Sequence, residues 1–385
     1  SVERLNPFRY GAPVEAEGFC DRGAELAALG ERMRSGIHAF VLSPRRYGKT
    51  SLLLEALRRF RAAGGRGGYA NLLFCTTDDE VAAVVLTAVA REVLRPVGRA
   101  RHSLEEVLRH VRVTPRVSVG PDGAGSLGFD PVVGRVPWID VLTDAVTLLR
   151  TTAQHRPSAL VLDEFQQIAE IGPKGMAGAF KAVADEARGT SLVFSGSHLS
   201  VMERLTRHRG APLLGMGELF HLDVVPEADM VAHLVSRAAA GGKRLGEEVA
   251  GDLYRRAGAV PNDVQWLAHA AFEAAGTRKV ISAGDVTAGM AAIVARQASV
   301  FAERYEALSP AQRRVVRELA QHPVDKVYAK AFLDRVRVAN ANAVTTALRA
   351  LSAKELVRRR AGRWELASPF FGAWLAGGTG DPAGP

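Results

Sequence analysis

The chain has 385 residues, 47% of them hydrophobic and 24% charged, which is length for two to three domains and composition for at least one large buried core. Wholesale disorder, a collagen-like chain and a disulfide-stapled mini-protein are thereby excluded. The formal net charge of +9 is uneven: between Tyr305 and Leu375 thirteen Lys and Arg stand against six Asp and Glu, so a basic module follows a nearly neutral body.

Helical apolar spacing (Leu26, Leu29, Met33) predicts a helix over Asp21–Arg34, and the apolar run Ile37–Leu42 predicts a buried strand. Thr50–Arg61 returns to helical periodicity, and Tyr69–Cys75 reads as the next strand after the glycine cluster Gly64–Gly68. Further buried strands are expected at Ala159–Leu162 and Ser191–Phe194, both apolar on successive residues. Strand alternating with helix predicts an α/β fold with a parallel, doubly wound sheet over residues 1–225. Alternating residues around Asp122-Gly123 predict a β-hairpin insertion near 112–131.

The longest apolar stretch, Val81–Ala90, is about half of the ~18 residues a membrane-spanning helix needs, and no basic-then-apolar leader opens the sequence. A soluble, cytoplasmic protein without membrane association is expected. Cys20 and Cys75 lie far apart and no histidine pair has metal-ligand spacing, so reduced thiols and no structural zinc are expected.

From 226 to 304 the pattern is helical, without a strand, and predicts a small helical lid domain. Ser309-Pro310-Ala311-Gln312 is a capping box with proline at the first helical position, opening a helix over Pro310–Gln321. Helices over Ala329–Arg335 and Ala341–Lys354 follow, then a hairpin over Leu356–Leu366 around Ala361-Gly362. Three helices and a two-stranded wing predict a winged helix over 305–375, followed by a disordered tail at 376–385.

The chemistry centres on Ser43-Pro44-Arg45-Arg46-Tyr47-Gly48-Lys49-Thr50-Ser51, between the first strand and the next helix. In that setting backbone N–H groups and a helix N-terminus face phosphates, Lys49 reaches the β and γ oxygens, and the Thr50 hydroxyl binds Mg²⁺. The usual first glycine of such a loop is Ser43 here. Leu160-Val161-Leu162-Asp163-Glu164 supplies the second half: Asp163 for Mg²⁺ and Glu164 to polarise the attacking water. A solvated strand end is the plain alternative for that acidic pair alone, but two independent motifs predict one ATP site. Ser195-Gly196-Ser197 closes the next strand and brings Ser197 beside the γ-phosphate, unless it is an ordinary strand-to-helix turn.

These residues, with Tyr10-Gly11, Phe19-Cys20-Asp21-Arg22-Gly23-Ala24-Glu25-Leu26, Leu162-Asp163-Glu164-Phe165-Gln166, Gly258-Ala259-Val260-Pro261 and Ser368-Pro369-Phe370-Phe371-Gly372-Ala373-Trp374-Leu375, resemble the STAND-type P-loop ATPases of the archaeal ATPase group, which also has bacterial members. The resemblance covers nearly the whole chain. It implies that Pro261 approaches adenine from the helical domain and that Arg22 lies near the base or hinge. It also implies an ATPase acting as a nucleotide-controlled switch. One departure concerns turnover, because many members carry an arginine where Ala211-Pro212-Leu213-Leu214-Gly215-Met216 has methionine. Met216 cannot neutralise transition-state charge, which predicts slow or partner-stimulated hydrolysis. Arg204, Arg207 and Arg209 could substitute, in cis or from a neighbouring subunit of a homo-oligomer, or are simply solvated.

Two readings of the winged helix stay open. In one, Asn340, Asn342, Thr345, Thr346 and Arg349 face a DNA major groove while Arg358, Arg359, Arg360 and Arg363 contact phosphate, so that residues 340–363 bind duplex DNA. In the other, the module is a protein contact or lid, and the chain is a low-turnover signalling or defence scaffold that assembles on nucleotide exchange. Arg91, Arg95, Arg99 and Arg101 would extend a basic surface or form a solvated helix face.

Overall fold

The computed structural model describes residues 5–13, 20, 22–94, 115–119, 125–129, 137–172, 175–321, 323–338 and 340–377. The chain divides into two compact units, one spanning Pro13–Val224, the other joining Ser1–Ala12 to Val225–Pro385. The lead-in, read from sequence as part of the α/β body, thus groups with the helical unit. Its backbone is tied there: Gly11 N–H donates to Asn262 Oδ1 at 2.9 Å, and the Tyr10 ring stacks on Trp266 with centroids 5.3 Å apart.

The Pro13–Val224 unit is a three-layer α/β structure. Its described elements include α1 (Gly23–Ser35), β1 (Ala39–Leu42), α2 (Lys49–Ala62), β2 (Arg66–Asn71), α3 (Asp78–Leu94), β3 (Pro115–Val119) and β4 (Gly125–Phe129). They continue with α4 (Trp138–Ala153), β5 (Ser158–Asp163), α5 (Met176–Glu186), β6 (Thr190–Gly196), α6 (Leu199–Thr206) and β7 (Glu218–His221). Five strands form one parallel sheet in the order β2-β5-β6-β1-β7. One face is covered by α1 and α2 through Leu29, Met33, Leu53, Leu57 and Phe60. On the other face α3, α4 and α5 bury Val85, Leu86, Leu149, Phe180 and Val183. With β1, β5 and β6 buried along their whole lengths, the chain needs unbroken apolar runs there, which is why those three strands are legible in the sequence.

Two strands differ from the sequence expectation. The second strand was expected at Tyr69–Cys75 but runs from Arg66 to Asn71, so Gly67 and Gly68 are strand residues. A Cβ on Gly67 would lie 2.5 Å from Leu57 Cδ1, and one on Gly68 would lie 3.2 Å from Leu160 Cδ1 and 3.3 Å from the Ala88 carbonyl oxygen. The glycines let covering helices and a neighbouring strand approach the backbone, a use that resembles a turn in sequence. The edge strand β7 was not expected, because its Glu-Leu-Phe-His pattern is largely solvent-facing.

The expected hairpin is present as β3 paired antiparallel to β4, from Pro115↔Phe129 to Val119↔Gly125. Its Asp122-Gly123 turn lies outside the described residues, as do Phe19, Asp21, Arg95, Arg99, Arg101 and the tail from 378 onward. Arg91, on α3, is exposed.

The other unit begins with α7 (Glu227–Ala240), β8 (Arg244–Leu245), α8 (Glu247–Arg256), α9 (Pro261–Ala274), β9 (Val280–Ile281) and α10 (Ala283–Glu306). The parallel pair β8/β9 breaks the strand-free expectation with two residues a side, too short to leave a periodic signal. Then come α11 (Pro310–Gln321), α12 (Lys330–Val336), α13 (Ala341–Ala353), the antiparallel wing β10 (Val357–Arg360) and β11 (Arg363–Leu366), and α14 (Pro369–Gly377). The Ser309/Gln312 capping box forms reciprocally, with Ser309 N–H to Gln312 Oε1 at 3.1 Å and Gln312 N–H to Ser309 Oγ at 3.4 Å. A bridge between Val324 and Trp364 adds a third short edge to the wing. Among the described residues no helix is long and apolar enough to cross a membrane.

Candidate functional site

In a parallel sheet every strand ends on the same edge, and β5, β6 and β1 are adjacent in the order given above. The residues that leave their C-terminal ends therefore converge: 43–50 after β1, Asp163 and Glu164 at β5, and 195–197 at β6.

The loop after β1 departs from β6 by one backbone bond, Ser43 N–H to the Gly196 carbonyl at 3.4 Å. Ser43 is buried and does not adopt positive φ, so this position has no need of glycine. Left-handed backbone instead occurs at Arg46, with φ of 76°, and at Gly48, with φ of 82°. A Cβ on Gly48 would meet nothing within 4 Å, so the concave side of the loop is open where α2 begins. Pro44 is half-buried, Arg45 and Arg46 are exposed, Tyr47 is buried, and Ser51 is buried in the first turn of α2.

Lys49 and Thr50 open α2 and point at the end of β5. Lys49 Nζ lies 3.2 Å from Glu164 Oε1 and 3.4 Å from Asp163 Oδ1, with the lysine only 5% exposed. Thr50 Oγ1 donates to Asp163 Oδ2 at 2.8 Å, Tyr69 Oη donates to the same oxygen at 2.9 Å, and Ser195 Oγ donates to Oδ1 at 2.7 Å. Burial raises the Asp163 pKa, but Lys49 and these hydroxyls outweigh it and hold the carboxyl below its ordinary range. Burial likewise opposes ionisation of Glu164, and Lys49, Gln166 and Ser197 overcome it. Both side chains are therefore carboxylates at neutral pH. Burial and the Asp163 charge push the Tyr69 phenol well above its usual value, so it stays a donor.

Ser197 is part of the same group, because its Oγ donates to Glu164 Oε2 at 2.7 Å. Two participants were given no role by the sequence reading. Tyr69 was read only as the start of a strand, and its mispredicted register hid the fact that it precedes the residue paired with Leu162 by one position. Gln166, buried, donates to Glu164 Oε2 and accepts from Ser197 N–H at 3.2 Å. The signal available in sequence was its position two residues after Glu164.

Arg22 is 5% exposed and directs its guanidinium at backbone: Nη2 lies 3.2 Å from the Tyr47 carbonyl and 2.7 Å from the Asp223 carbonyl, while Nη1 pairs with Glu25 at 3.1 Å. It braces the phosphate loop against the segment that leaves the sheet after β7. Pro261 belongs to the helical unit, where it is the first residue of α9 and follows two left-handed residues, Gly258 and Ala259. Met216 packs against the larger core cluster. Arg204, Arg207 and Arg209 are exposed, with Arg207 paired to Glu203 at 3.3 Å.

Oxygen donors from Thr50 and Asp163, 2.8 Å apart and backed by Lys49, are the hard, compact set that Mg²⁺ prefers, and the open side of Gly48 leaves room for phosphate above the loop. The residues thus fit a magnesium-bound nucleotide.

The winged helix separates the candidate DNA residues into two groups. Arg358 Nε pairs with Glu365 at 2.6 Å and its Nη2 reaches the Gly258 carbonyl at 3.3 Å; Arg360 donates to the same carbonyl at 2.7 Å and pairs with Glu365 at 3.1 Å. These two arginines hold the wing onto the turn before Pro261. Arg359, Arg363, Asn342, Thr346 and Arg349 are exposed. Asn340 caps α13, its side chain accepting from Ala343 N–H at 3.0 Å, and Thr345 donates back to the Ala341 carbonyl at 3.0 Å.

Comparison with known proteins bears on the fold. Residues 299–377 match the family model described as a "probable winged helix domain". No curated protein matches the chain significantly. Among solved structures, a Walker-type ATPase of Pyrococcus abyssi superposes with a TM-score of 0.66 at 14% identity, covering 96% of this chain and 99% of its own. The ORC2 protein of Aeropyrum pernix, solved with ADPNP and ADP, gives 0.56 at 17% identity over 98% and 97% of the two chains. The ORC1 protein of the same organism, solved in complex with DNA, gives 0.51 at 16% over 94% of each. The chain has the α/β fold of a P-loop ATPase with a parallel five-stranded sheet, helical regions after it, and a C-terminal winged helix.

Proposed function

We propose that the chain binds ATP with Mg²⁺ and hydrolyses it to ADP and phosphate, slowly or under the control of a partner. The observation that carries this reading is the meeting of Lys49 and Thr50 with Asp163, Glu164 and Ser197 at one strand edge. In it, the backbone of Pro44 to Gly48 and the Lys49 ammonium hold the phosphates, Thr50 and Asp163 hold the metal, and Ser51 supports the first turn beneath. Mg²⁺ would neutralise charge on the transferring phosphoryl group. Glu164 Oε2 is engaged by Ser197 and Gln166, whereas Oε1 holds Lys49 among the described residues. Once Lys49 turns to phosphate, Oε1 is the oxygen that takes the proton of the attacking water, and the bond to the ADP oxygen breaks as the new P–O bond forms.

Lys49→Ala is expected to abolish binding of a fluorescent ATP analogue, and Glu164→Gln to retain it while stopping turnover. Unchanged affinity in Lys49→Ala would remove the site assignment.

The finer reading is a STAND-type switch with a lid over 226–304, a winged helix over 305–375 and a tail from 376, in which nucleotide state changes how the domains are held. Pro261 would then contribute to the base site. Duplex DNA is the favoured partner, because Arg349 on α13 and Arg359 and Arg363 on the wing are exposed and because a solved structure of similar fold is complexed with DNA. The packing of Met216 into the core, with no arginine in its place, favours a second reading, a low-turnover scaffold that assembles as a homo-oligomer or with a protein partner. Size-exclusion mass with ADP against a non-hydrolysable ATP analogue separates them, since a scaffold changes assembly state without DNA.

A further inference from the structure

We infer that Gln166 is the positioning residue that joins Ser197 to Glu164, so that the polar end of β6 and the proposed general base move as one unit. The inference rests on the hydrolytic reading above and names a residue that reading does not require.

Glu164 has φ of 55°, a left-handed backbone that residues with a side chain rarely adopt unless their surroundings impose it. That turn drives Phe165 into the core, where its ring meets Phe180 and Phe194 edge-on at 5.0 and 4.6 Å, and brings Gln166 beneath the end of β6. There the amide has one possible orientation: the Ser197 backbone N–H only donates, so it faces Oε1, and the Glu164 carboxylate only accepts, so it faces Nε2. Ser197 Oγ closes the ring onto Glu164 Oε2 at 2.7 Å.

A second observation is steric. A Cβ on Gly196 would stand 2.9 Å from Gln166 Oε1 and would strike the Met202 side chain. The missing side chain between Ser195 and Ser197 therefore leaves room that the amide shares with Met202, whose Sδ would lie 2.5 Å from such a Cβ. With Oε2 held by two donors, the carboxylate is aimed and Oε1 is the oxygen presented to the reacting side. Loss of the amide leaves Ser197 Oγ as the one remaining donor to Oε2 among the described residues, so the carboxylate is aimed less narrowly.

The test uses the full chain and Gln166→Leu, Gly196→Ala and the double variant Gln166→Leu/Glu164→Gln. Affinity for a fluorescent Mg–ATP analogue, the single-turnover hydrolysis rate, the unfolding midpoint and hydrogen exchange of the Ser197 amide are measured. In Gln166→Leu we expect affinity within about twofold of wild type and a rate lower by about ten- to a hundredfold, the scale of a misaimed catalytic group. Ser197 amide protection should be lost. Gly196→Ala, which displaces Met202 as well as the amide, should also lose Ser197 protection, and the double variant should be no slower than Glu164→Gln alone. A wild-type rate in Gln166→Leu, or retained Ser197 protection, overturns the inference, as does a loss that multiplies that of Glu164→Gln. A fall in rate matched by the fall in folded fraction reduces Gln166 to a packing residue. Should the wild type hydrolyse no more than Glu164→Gln, the hydrolytic reading fails by itself, and amide exchange alone decides whether Gln166 makes the tie.

Discussion

At the scale of single residues, Asp163 shows how an interior charge is kept when several donors surround it. Asp163 is fully buried, yet it receives Thr50, Tyr69, Ser195 and its neighbour's backbone N–H, so it remains ionised beside Lys49. His233 on α7 is the opposite case. Its Nε2 is buried without a hydrogen-bond partner among the described residues, and burial together with nearby Arg237 lowers its pKa from 6.5 to about 4. The folded protein thus keeps this ring neutral while the unfolded chain takes up a proton as pH falls through 6.5. Stability associated with it is complete above that pH, declines toward pH 4 by about 2–3 kcal/mol, and does not decline further below. Unfolding midpoints measured from pH 7 to 4 should accordingly fall less steeply in His233→Gln than in the wild type. Parallel slopes would show that His233 is not a source of acid sensitivity.

At the scale of elements, glycine marks the places where backbones meet. Gly289 on α10 faces α9 so closely that a Cβ would stand 2.9 Å from the Ala271 nitrogen and 3.1 Å from the Ala270 carbonyl carbon. Backbone on the partner helix cannot step aside as a side-chain tip can. Gly289→Ala, ordinarily favourable inside a helix, is expected to destabilise by about 1–3 kcal/mol, read from denaturant midpoints. An unchanged or raised midpoint would mean that the helix pair can open without loss. The wing obeys a comparable logic with charge: Arg358 and Arg360 converge on Glu365 and on one carbonyl, Gly258, roughly a hundred residues earlier in the chain. Their role is to hold the hairpin against the turn that opens α9.

At the scale of the whole molecule, that division of labour changes what the basic C-terminal fifth predicts. A run of three arginines suggests three phosphate contacts, but the alternation of a strand sends Arg359 outward and its two neighbours inward. Arg359→Ala with Arg363→Ala is expected to weaken duplex binding across sequences and to lower the salt slope by about 2, at unchanged thermal stability. Arg358→Ala with Arg360→Ala should instead lower the unfolding midpoint. If the first pair leaves both affinity and slope untouched, the wing is not a DNA contact and the scaffold reading gains.

The sequence by itself determined the parts of this protein whose signal is local. Apolar runs at β1, β5 and β6, the helical periodicity of α1 and α2, and the Ser309 capping box each depend on a few adjacent residues. So do the Gly48-Lys49-Thr50 and Asp163-Glu164 motifs, each legible by itself after an apolar run although they lie more than a hundred residues apart. Only the tertiary structure decided which glycines are strand rather than turn, because Gly67 and Gly68 are set by helices and a strand packed on them from elsewhere in the chain. It also decided that Arg22 braces backbone at Tyr47 and Asp223, that Gln166 sits between Ser197 and Glu164, and which wing arginines turn inward. Each of these depends on a partner 25 or more residues away or on the face of a strand one register step apart, and no window of sequence contains both members of such a pair.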